Sequence, residues 1–156
     1  LGVELDAELH EIPIGKGEIV RDGEDVAILA IGATVAPALE AAQELASNGI
    51  DATVVNARFA KPLDSELIIG IANRIKHLVT VEENALSGGF GSSVLALLQK
   101  SGMSDIQVKS IGIPDEFVEQ GAQGILRAKY GLDAKGIARQ VSALFLKPDS
   151  LLREVA

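Results

Sequence analysis

The sequence contains no cysteine, and this absence excludes several kinds of site at once. No disulfide framework, cysteine-based zinc site or thiol nucleophile can form. Aromatic residues are also scarce, with no Trp, one Tyr and four Phe. The hydrophobic 47% of the chain therefore comes mainly from Ala, Ile, Leu and Val. Such aliphatic residues are typical of the buried layers of an α/β domain.

Positive charge is in the minority, with 14 Lys and Arg against 22 Asp and Glu and a net charge of −8. The basic residues form no cluster, which argues against nucleic acid or an anionic membrane as a partner. The longest apolar runs, such as residues 26–31, are far shorter than a membrane span. We expect a soluble, cytoplasmic protein. The chain begins with Leu1 in place of Met, which indicates a part of a longer polypeptide.

The 156 residues are enough for one domain with a real core. Residues 26–31 are continuously apolar and bounded by turn residues, which predicts a buried strand. Thr34 then offers a helix cap, and apolar residues recur at helical spacing until Asn48 and Gly49. A strand followed by a helix is therefore the first structural unit.

The same unit recurs along the rest of the chain. Further strands are predicted at residues 52–55 and 78–81 and from Ile106 onward. Asp64 is positioned to cap the helix between the strands at residues 52–55 and 78–81, and Asp133 is positioned to cap the final helix. These alternating units predict a three-layer α/β fold, in which helices cover both faces of a mainly parallel sheet.

A fifth, edge strand is predicted at residues 18–20. Only a tight turn around Asp22 and Gly23 separates this segment from the first buried strand, so we expect it to be antiparallel. The predicted sheet thus has five strands, mainly parallel, with one antiparallel edge strand.

A glycine-rich turn with Gly88, Gly89 and Gly91 follows Glu82 and Glu83 at the carboxyl end of the third buried strand. Ligands and partners of open α/β sheets dock at this edge. One interpretation is a tight turn with close helix packing. The other is a contact surface for another domain or subunit, in which both carboxylates accept hydrogen bonds. A metal site is not favoured, because adjacent strand residues point to opposite faces.

Arg58 and Lys61 lie in the loop after the second buried strand, again at the carboxyl edge of the sheet. In one interpretation this is a structured loop, with Asp64 capping the next helix and Arg58 paired with a nearby carboxylate. In the other, Arg58 binds a small anion. His10 and His77 lie far apart, and no nucleophile-elbow motif is present. The sequence therefore predicts no catalytic, cofactor-binding or metal-binding residue in this chain.

Four stretches, in a fixed order, carry a family resemblance. They are residues 12–18, 54–64, 79–84 with 88–91, and 112–118. In this order they resemble the deoxyxylulose-phosphate synthases of the transketolase superfamily. The last stretch, with residues 119–123 and 130–137, separates these synthases from the β subunits of 2-oxoacid dehydrogenases. Gln120 and Ala122 depart from the family pattern, in which His and a small hydroxyl residue are common.

The resemblance implies the third, C-terminal domain of an enzyme that condenses pyruvate with glyceraldehyde 3-phosphate to 1-deoxy-D-xylulose 5-phosphate and CO₂. It implies thiamine diphosphate and Mg²⁺ as cofactors, bound by domains that this chain lacks. It also implies a homodimer, in which this domain is a non-catalytic element that supports the other domains. We accordingly expect an inter-domain linker at residues 1–17, the transketolase C-terminal-like domain at 18–147 and a tail at 148–156.

Two alternatives stay open at the level of the sequence. The chain resembles, less closely, the corresponding domain of a 2-oxoacid dehydrogenase β subunit. It is also compatible with a free-standing α/β module that binds a small anion or nucleotide at Arg58 or at the glycine turn.

Overall fold

Five strands and five α-helices lie along residues 11–145, the part of the chain that the computed structural model describes. The strands are β1 (Glu18–Arg21), β2 (Val26–Ala30), β3 (Ala52–Asn56), β4 (His77–Ala85) and β5 (Gln107–Ile113). The helices are α1 (Val35–Ser47), α2 (Ser65–Arg74), α3 (Phe90–Lys100), α4 (Gln123–Lys129) and α5 (Ala134–Ser142). A short 3-10 helix, Gly32–Thr34, joins β2 to α1.

The strands form one sheet in the order β1-β3-β2-β4-β5. β3, β2, β4 and β5 are parallel to one another, and β1 is antiparallel to β3. Parallel neighbours need a crossover connection, and α1, α2 and α3 provide the three crossovers. The predicted mixed sheet, with five strands and one antiparallel edge strand, is confirmed.

The neighbour of β1 differs from the expected one. The short turn predicted a hairpin with β2, but β1 pairs with β3, with Ile19 opposite Val55. The reason is that β2 has no free edge, since β3 and β4 bind it on both sides. The turn is instead held against β3, where the Thr53 hydroxyl accepts from Gly23 N at 2.9 Å and donates to Gly23 O at 2.6 Å.

An apolar cluster lies on each face of the sheet, and β2 contributes to both. All five residues of β2 are fully buried, and successive side chains point to opposite faces. Val26, Ile28 and Ala30 pack with α1 and α5. Ala27 and Leu29 pack with α2 and α3. Helices therefore cover both faces, which is the predicted three-layer arrangement.

Two helices begin at the predicted capping residues. Asp64 Oδ1 accepts a hydrogen bond from Leu67 N at 3.1 Å, at the start of α2. Asp133 Oδ1 accepts one from Gly136 N at 2.9 Å, at the start of α5. Both carboxylates satisfy amide groups that a helix leaves free at its amino end.

Thr34 precedes α1 as predicted, but its hydroxyl does not cap the helix. Its Oγ1 lies 2.9 Å from Ile31 O and 3.0 Å from Val81 O. The side chain therefore ties the start of α1 to β4.

The boundaries of the domain remain predictions. The helices and strands extend from Glu18 to Ser142, within the predicted domain at residues 18–147. The predicted tail at residues 148–156, His10 and most of the predicted linker lie outside the described residues. Within residues 11–145, no helix is both long enough and apolar enough to cross a membrane.

Thr53→Val tests the contact that places the turn after β1 on β3. Valine has nearly the same shape, but it leaves the N–H and carbonyl of Gly23 without this buried partner. We expect the free energy of unfolding to fall by about 1–3 kcal/mol, the cost of unsatisfied buried polar groups. Urea unfolding followed by circular dichroism measures the change.

Ser47→Ala is the control, because the Ser47 hydroxyl is exposed and, among residues 11–145, bonds only to Gln43 O of its own helix. It should change the free energy of unfolding by less than about 0.5 kcal/mol. Equal losses in the two variants would show that the Thr53 contact has no special role.

Candidate functional site

The residues that the sequence singled out all lie at the carboxyl edge of the sheet. Arg58 follows β3, whereas Glu82 and Glu83 lie in the last part of β4. The glycine turn connects β4 to α3. Their side chains do not converge: Glu82 contacts the turn, Glu83 contacts α4, and Arg58 contacts β1.

Glu82 is fully buried and therefore contributes nothing to a surface. Its two carboxylate oxygens accept hydrogen bonds from Phe90 N at 2.7 Å and Gly91 N at 2.8 Å. These amides open α3, where Gly89, the residue before the helix, has no side chain to cap it. In one of the two interpretations of the sequence, this carboxylate accepts hydrogen bonds from another domain or subunit. In the structure, both of its oxygens accept from amides of the same domain.

The glycines give the turn the shape that this contact requires. A Cβ on Gly89 would lie 2.5 Å from Ala85 O, and one on Gly91 would lie 2.5 Å from Thr80 Oγ1. Both distances are far too short for any side chain. Gly88 has a φ of 75°, in the left-handed region, and the space where its Cβ would lie is open. Close helix packing, one of the two interpretations of the turn, is the observed geometry.

The same contact bears on the anion hypothesis. Glycine turns bind phosphates through free amide groups at the amino end of a helix. Here Phe90 N and Gly91 N are engaged by Glu82, and Gly88 N donates to Ser92 Oγ at 3.1 Å. An anion at this position would have to displace a carboxylate that is already in place.

Arg58 is also engaged within the domain. Its guanidinium donates to Glu18 Oε2 in β1, and its backbone N donates to Asn56 Oδ1 at 3.1 Å. The backbone of Arg58 has a φ of 56°, so the residue occupies the left-handed region that non-glycine residues rarely adopt. The pairing with a nearby carboxylate that the sequence indicated is thus observed.

Glu83 points to the other face of the sheet from Glu82, as expected for adjacent strand residues. Its Oε1 accepts from Arg127 Nε of α4 at 2.6 Å. Sequence reasoning missed Arg127, because α4 itself was not predicted. Next to α4, the hydroxyl of Tyr130 donates to Glu116 Oε1 at 2.9 Å, and this hydrogen bond raises the pKa of Tyr130 above its ordinary value.

An open depression of about 410 Å³ separates the loop after β3 from the glycine turn. Its rim carries the polar side chains of Lys61, Asn84, Ser87 and Ser93. Lys61 forms no ion pair with any residue of the described range. An open depression of this kind is better suited to contact with another surface than to enclosing a small molecule.

Among residues 11–145, no group of three or more His, Asp or Glu side chains could hold a metal ion. His77 lies at the opposite, amino edge of the sheet, where its ring packs 5.2 Å from that of Phe145. It therefore has no part in the carboxyl edge.

Glu82→Gln tests whether the buried charge holds α3 in place. The amide of glutamine keeps the shape, but it carries no charge and offers one acceptor to two backbone donors. We expect a loss of about 2–4 kcal/mol in the free energy of unfolding, from a charged hydrogen bond and the helix dipole. Urea unfolding measures the loss.

Glu83→Gln is a matched control one residue away. It removes the ion pair between Glu83 and Arg127. The side chain of Glu83 is 33% exposed and that of Arg127 is 26% exposed. A partly exposed pair of this kind contributes about 1 kcal/mol or less. A loss for Glu83→Gln as large as that for Glu82→Gln would contradict the role given to Glu82.

Comparison with known proteins agrees with this geometry. Residues 15–137 match the family described as transketolase, C-terminal domain. A solved structure, described as a split-gene transketolase in an inactive beta4 tetramer, superposes with a TM-score of 0.79 at 37% identity. That superposition covers 86% of this chain and 43% of the other.

Two relatives are more similar in sequence to this chain than the solved transketolase is. The chain is 61% identical over 142 residues to 1-deoxy-D-xylulose-5-phosphate synthase 1 of Geobacter sulfurreducens, covering 91% of this chain and 22% of the relative. It is 54% identical over 151 residues to the 1-deoxy-D-xylulose-5-phosphate synthase of Dehalococcoides mccartyi, covering 96% of this chain and 24% of that relative. The chain thus spans less than a quarter of these relatives. It belongs to the transketolase C-terminal domain family and, as its motifs predicted, is similar within that family to the 1-deoxy-D-xylulose-5-phosphate synthases.

Proposed function

We propose that this chain is the structural and association domain of an enzyme that condenses pyruvate with glyceraldehyde 3-phosphate to 1-deoxy-D-xylulose 5-phosphate and CO₂. The observation that carries the proposal is the 61% identity over 142 residues to a synthase of that name. The domain itself performs no chemistry in this proposal. Its predicted site residues support this, because Arg58, Glu82 and Glu83 are engaged in contacts within the domain.

Thiamine diphosphate and Mg²⁺ would be bound by other parts of the full-length enzyme. The described residues do not fit either group. The carboxylates of Glu82 and Glu83 are committed to backbone amides and to Arg127. The amides of the glycine turn, which could otherwise hold a diphosphate, are occupied by Glu82. We therefore assign no step of the reaction to these residues.

The partners of this domain would be the remaining domains of the same enzyme and a second subunit. The carboxyl edge offers a contact surface for them in the depression rimmed by Lys61, Asn84, Ser87 and Ser93. Gly88 and Gly89 also line it, so a partner can approach the backbone closely. We place the enzyme in the cytoplasm, with which the absence of cysteine is compatible.

The alternatives have less support. The first relatives are synthases and not 2-oxoacid dehydrogenase β subunits. A free-standing anion-binding module would need free donors at Arg58 or at the glycine turn, and these donors are already paired.

A graft tests the proposed function directly. The matching 142 residues of the Geobacter sulfurreducens synthase are replaced by this chain. We expect the chimera to form 1-deoxy-D-xylulose 5-phosphate at a rate of the same order as the parent enzyme. The isolated chain should neither bind thiamine diphosphate, by calorimetry, nor consume pyruvate.

A graft of the corresponding segment from a 2-oxoacid dehydrogenase β subunit serves as the control, and it should give an inactive protein. Turnover of pyruvate by the isolated chain would refute the non-catalytic role. An inactive but folded chimera would refute the assignment to this enzyme.

Lys61→Glu tests the depression as a contact surface. Lys61 is exposed and pairs with no described residue, so the isolated variant should melt at the same temperature as the unmodified chain. In the chimera we expect lower activity and a lower melting temperature, because the charge reversal disturbs a contact. Lys100→Glu, which changes an exposed residue at the end of α3, is the control. Its effect on the melting temperature should be the same in the isolated chain and in the chimera. No difference between the chain and the chimera for Lys61→Glu would remove this surface from the proposal.

A further inference from the structure

An apolar groove lies between helix α3 and the first residues of β5, at the amino edge of the sheet. Its volume is about 250 Å³. A cavity of about 150 Å³ already holds a benzene molecule, so this groove has room for aliphatic side chains. The apolar residues that line it are Leu95, Leu98, Met103, Ile106 and Val108. It is called here the α3–β5 groove.

The α3–β5 groove continues the core on the α3 face of the sheet. Leu98 belongs to that core and is 3% exposed, whereas Leu95, about one turn earlier in the same helix, is 46% exposed. Met103 is packed against the same core. An apolar side chain placed in the groove would remove further apolar surface from water, which is favourable. The occupant that fits is therefore an aliphatic segment.

The described part of the chain ends close to this groove. The ring of Phe145, the last described residue, lies 5.2 Å from that of His77 at the start of β4. His77 is the register partner of Gln107, which stands between Ile106 and Val108 of the groove. Adjacent strands are only about 4.8 Å apart. The residues that follow Phe145 therefore start one strand away from the groove.

The path from Phe145 to the groove leads round β5. Phe145 follows α5, which packs on the opposite face of the sheet from α3. β5 is the edge strand on this side, so a segment can pass round it and also cover its edge. The seven residues from Phe145 to Leu152 span up to about 23 Å when extended. This is about twice the distance of roughly 10 Å between packed layers.

The sequence after Phe145 contains the side chains that the groove can accept. Residues 148–156 include the aliphatic residues Leu151, Leu152 and Val155, with charged residues on both sides of the leucines. Such a mixture suits a segment that places its aliphatic side chains against an apolar surface and its charged ones in water.

The amino-terminal segment is a poorer candidate, because it joins the domain at the opposite edge of the sheet. A Cβ on Gly15 would lie 2.8 Å from Pro62 Cγ, in the loop after β3. That loop is at the carboxyl edge, whereas the α3–β5 groove is at the amino edge. Of the two segments outside the described range, the carboxyl-terminal one therefore starts nearer to the groove.

We propose that residues 148–156 of this chain dock in the α3–β5 groove and place Leu151 and Leu152 against Leu95 and Met103. The segment crosses the edge of β5 and joins the two faces of the sheet. This gives a role to the tail that the sequence predicts at these positions. The proposal concerns contacts within one chain and does not depend on the proposed enzyme function.

The methyl group of Met103 reports on the groove, because Met103 is the only methionine in the sequence. An isotope label at the methionine methyl carbon therefore gives a single NMR signal. The double variant Leu151→Ser, Leu152→Ser should shift this signal, because the methyl group exchanges an aliphatic contact for water. Ile14→Ser, which alters an 80% exposed side chain near the carboxyl edge, is the control and should leave the signal in place.

The absence of cysteine permits a direct test of proximity. Leu95→Cys is combined with Leu151→Cys in one variant and with Leu152→Cys in another. A disulfide needs Cα atoms within about 7 Å of each other, so at least one variant should form an internal disulfide under mild oxidation. Its rate of formation should not change with protein concentration.

In the matched controls, Ile19→Cys takes the place of Leu95→Cys. Ile19 is 41% exposed, much as Leu95 is, but it lies in β1 at the far edge of the sheet. These pairs should oxidise more slowly than the pairs with Leu95→Cys. Mass spectrometry of the unfolded, unreduced chains identifies the disulfides.

Several results would overturn the proposal. The Met103 signal could stay in place in the double variant, or Ile14→Ser could shift it instead. The pairs with Leu95→Cys could oxidise no faster than the controls. A disulfide that joins two chains, at a rate that rises with concentration, would show that another molecule supplies the segment and would also contradict the proposal. An active chimera in any of these cases would leave the proposed enzyme function standing.

Discussion

The carboxylate of Glu82 lies at the amino end of α3, and the shape of the carboxyl edge depends on this contact. Burying a charge costs several kcal/mol unless donors surround it. Phe90 N and Gly91 N, at 2.7 and 2.8 Å, supply those donors, and the helix dipole favours a negative charge at this position. The contact holds the turn so close to β4 that Gly89 has no room for a side chain. One buried charge thus fixes strand, turn and helix together.

This contact also decides what the edge can bind. The turn has the composition of a phosphate-binding loop, but its amides are occupied from within the domain. The guanidinium of Arg58, where the sequence offered an anion site, is paired with Glu18. What remains open at this edge is a depression with Lys61 on its rim. The amides of the turn and the guanidinium of Arg58 are therefore not available to a charged substrate.

The parts of the structure that depend on neighbours in sequence could be predicted. β2 is apolar at every position, and Asp64 caps α2 through an amide three residues away. The role of Glu82 could not be predicted, because two adjacent glutamates after a strand give no sign of which one is buried. The neighbour of β1 depends on which edges of β2 are free, which only the whole sheet determines. α4 has no buried side chain, so it lacks the apolar periodicity that reveals a helix.

Glu82 and Glu83 hold two helices in different ways. Glu82 secures α3 by a fully buried charge, so α3 is an integral part of the core. Glu83 secures α4 by a partly exposed ion pair with Arg127, which contributes about 1 kcal/mol or less. Such a pair orients a helix without burying it. The apolar residues of α4 are therefore held at the surface of the domain.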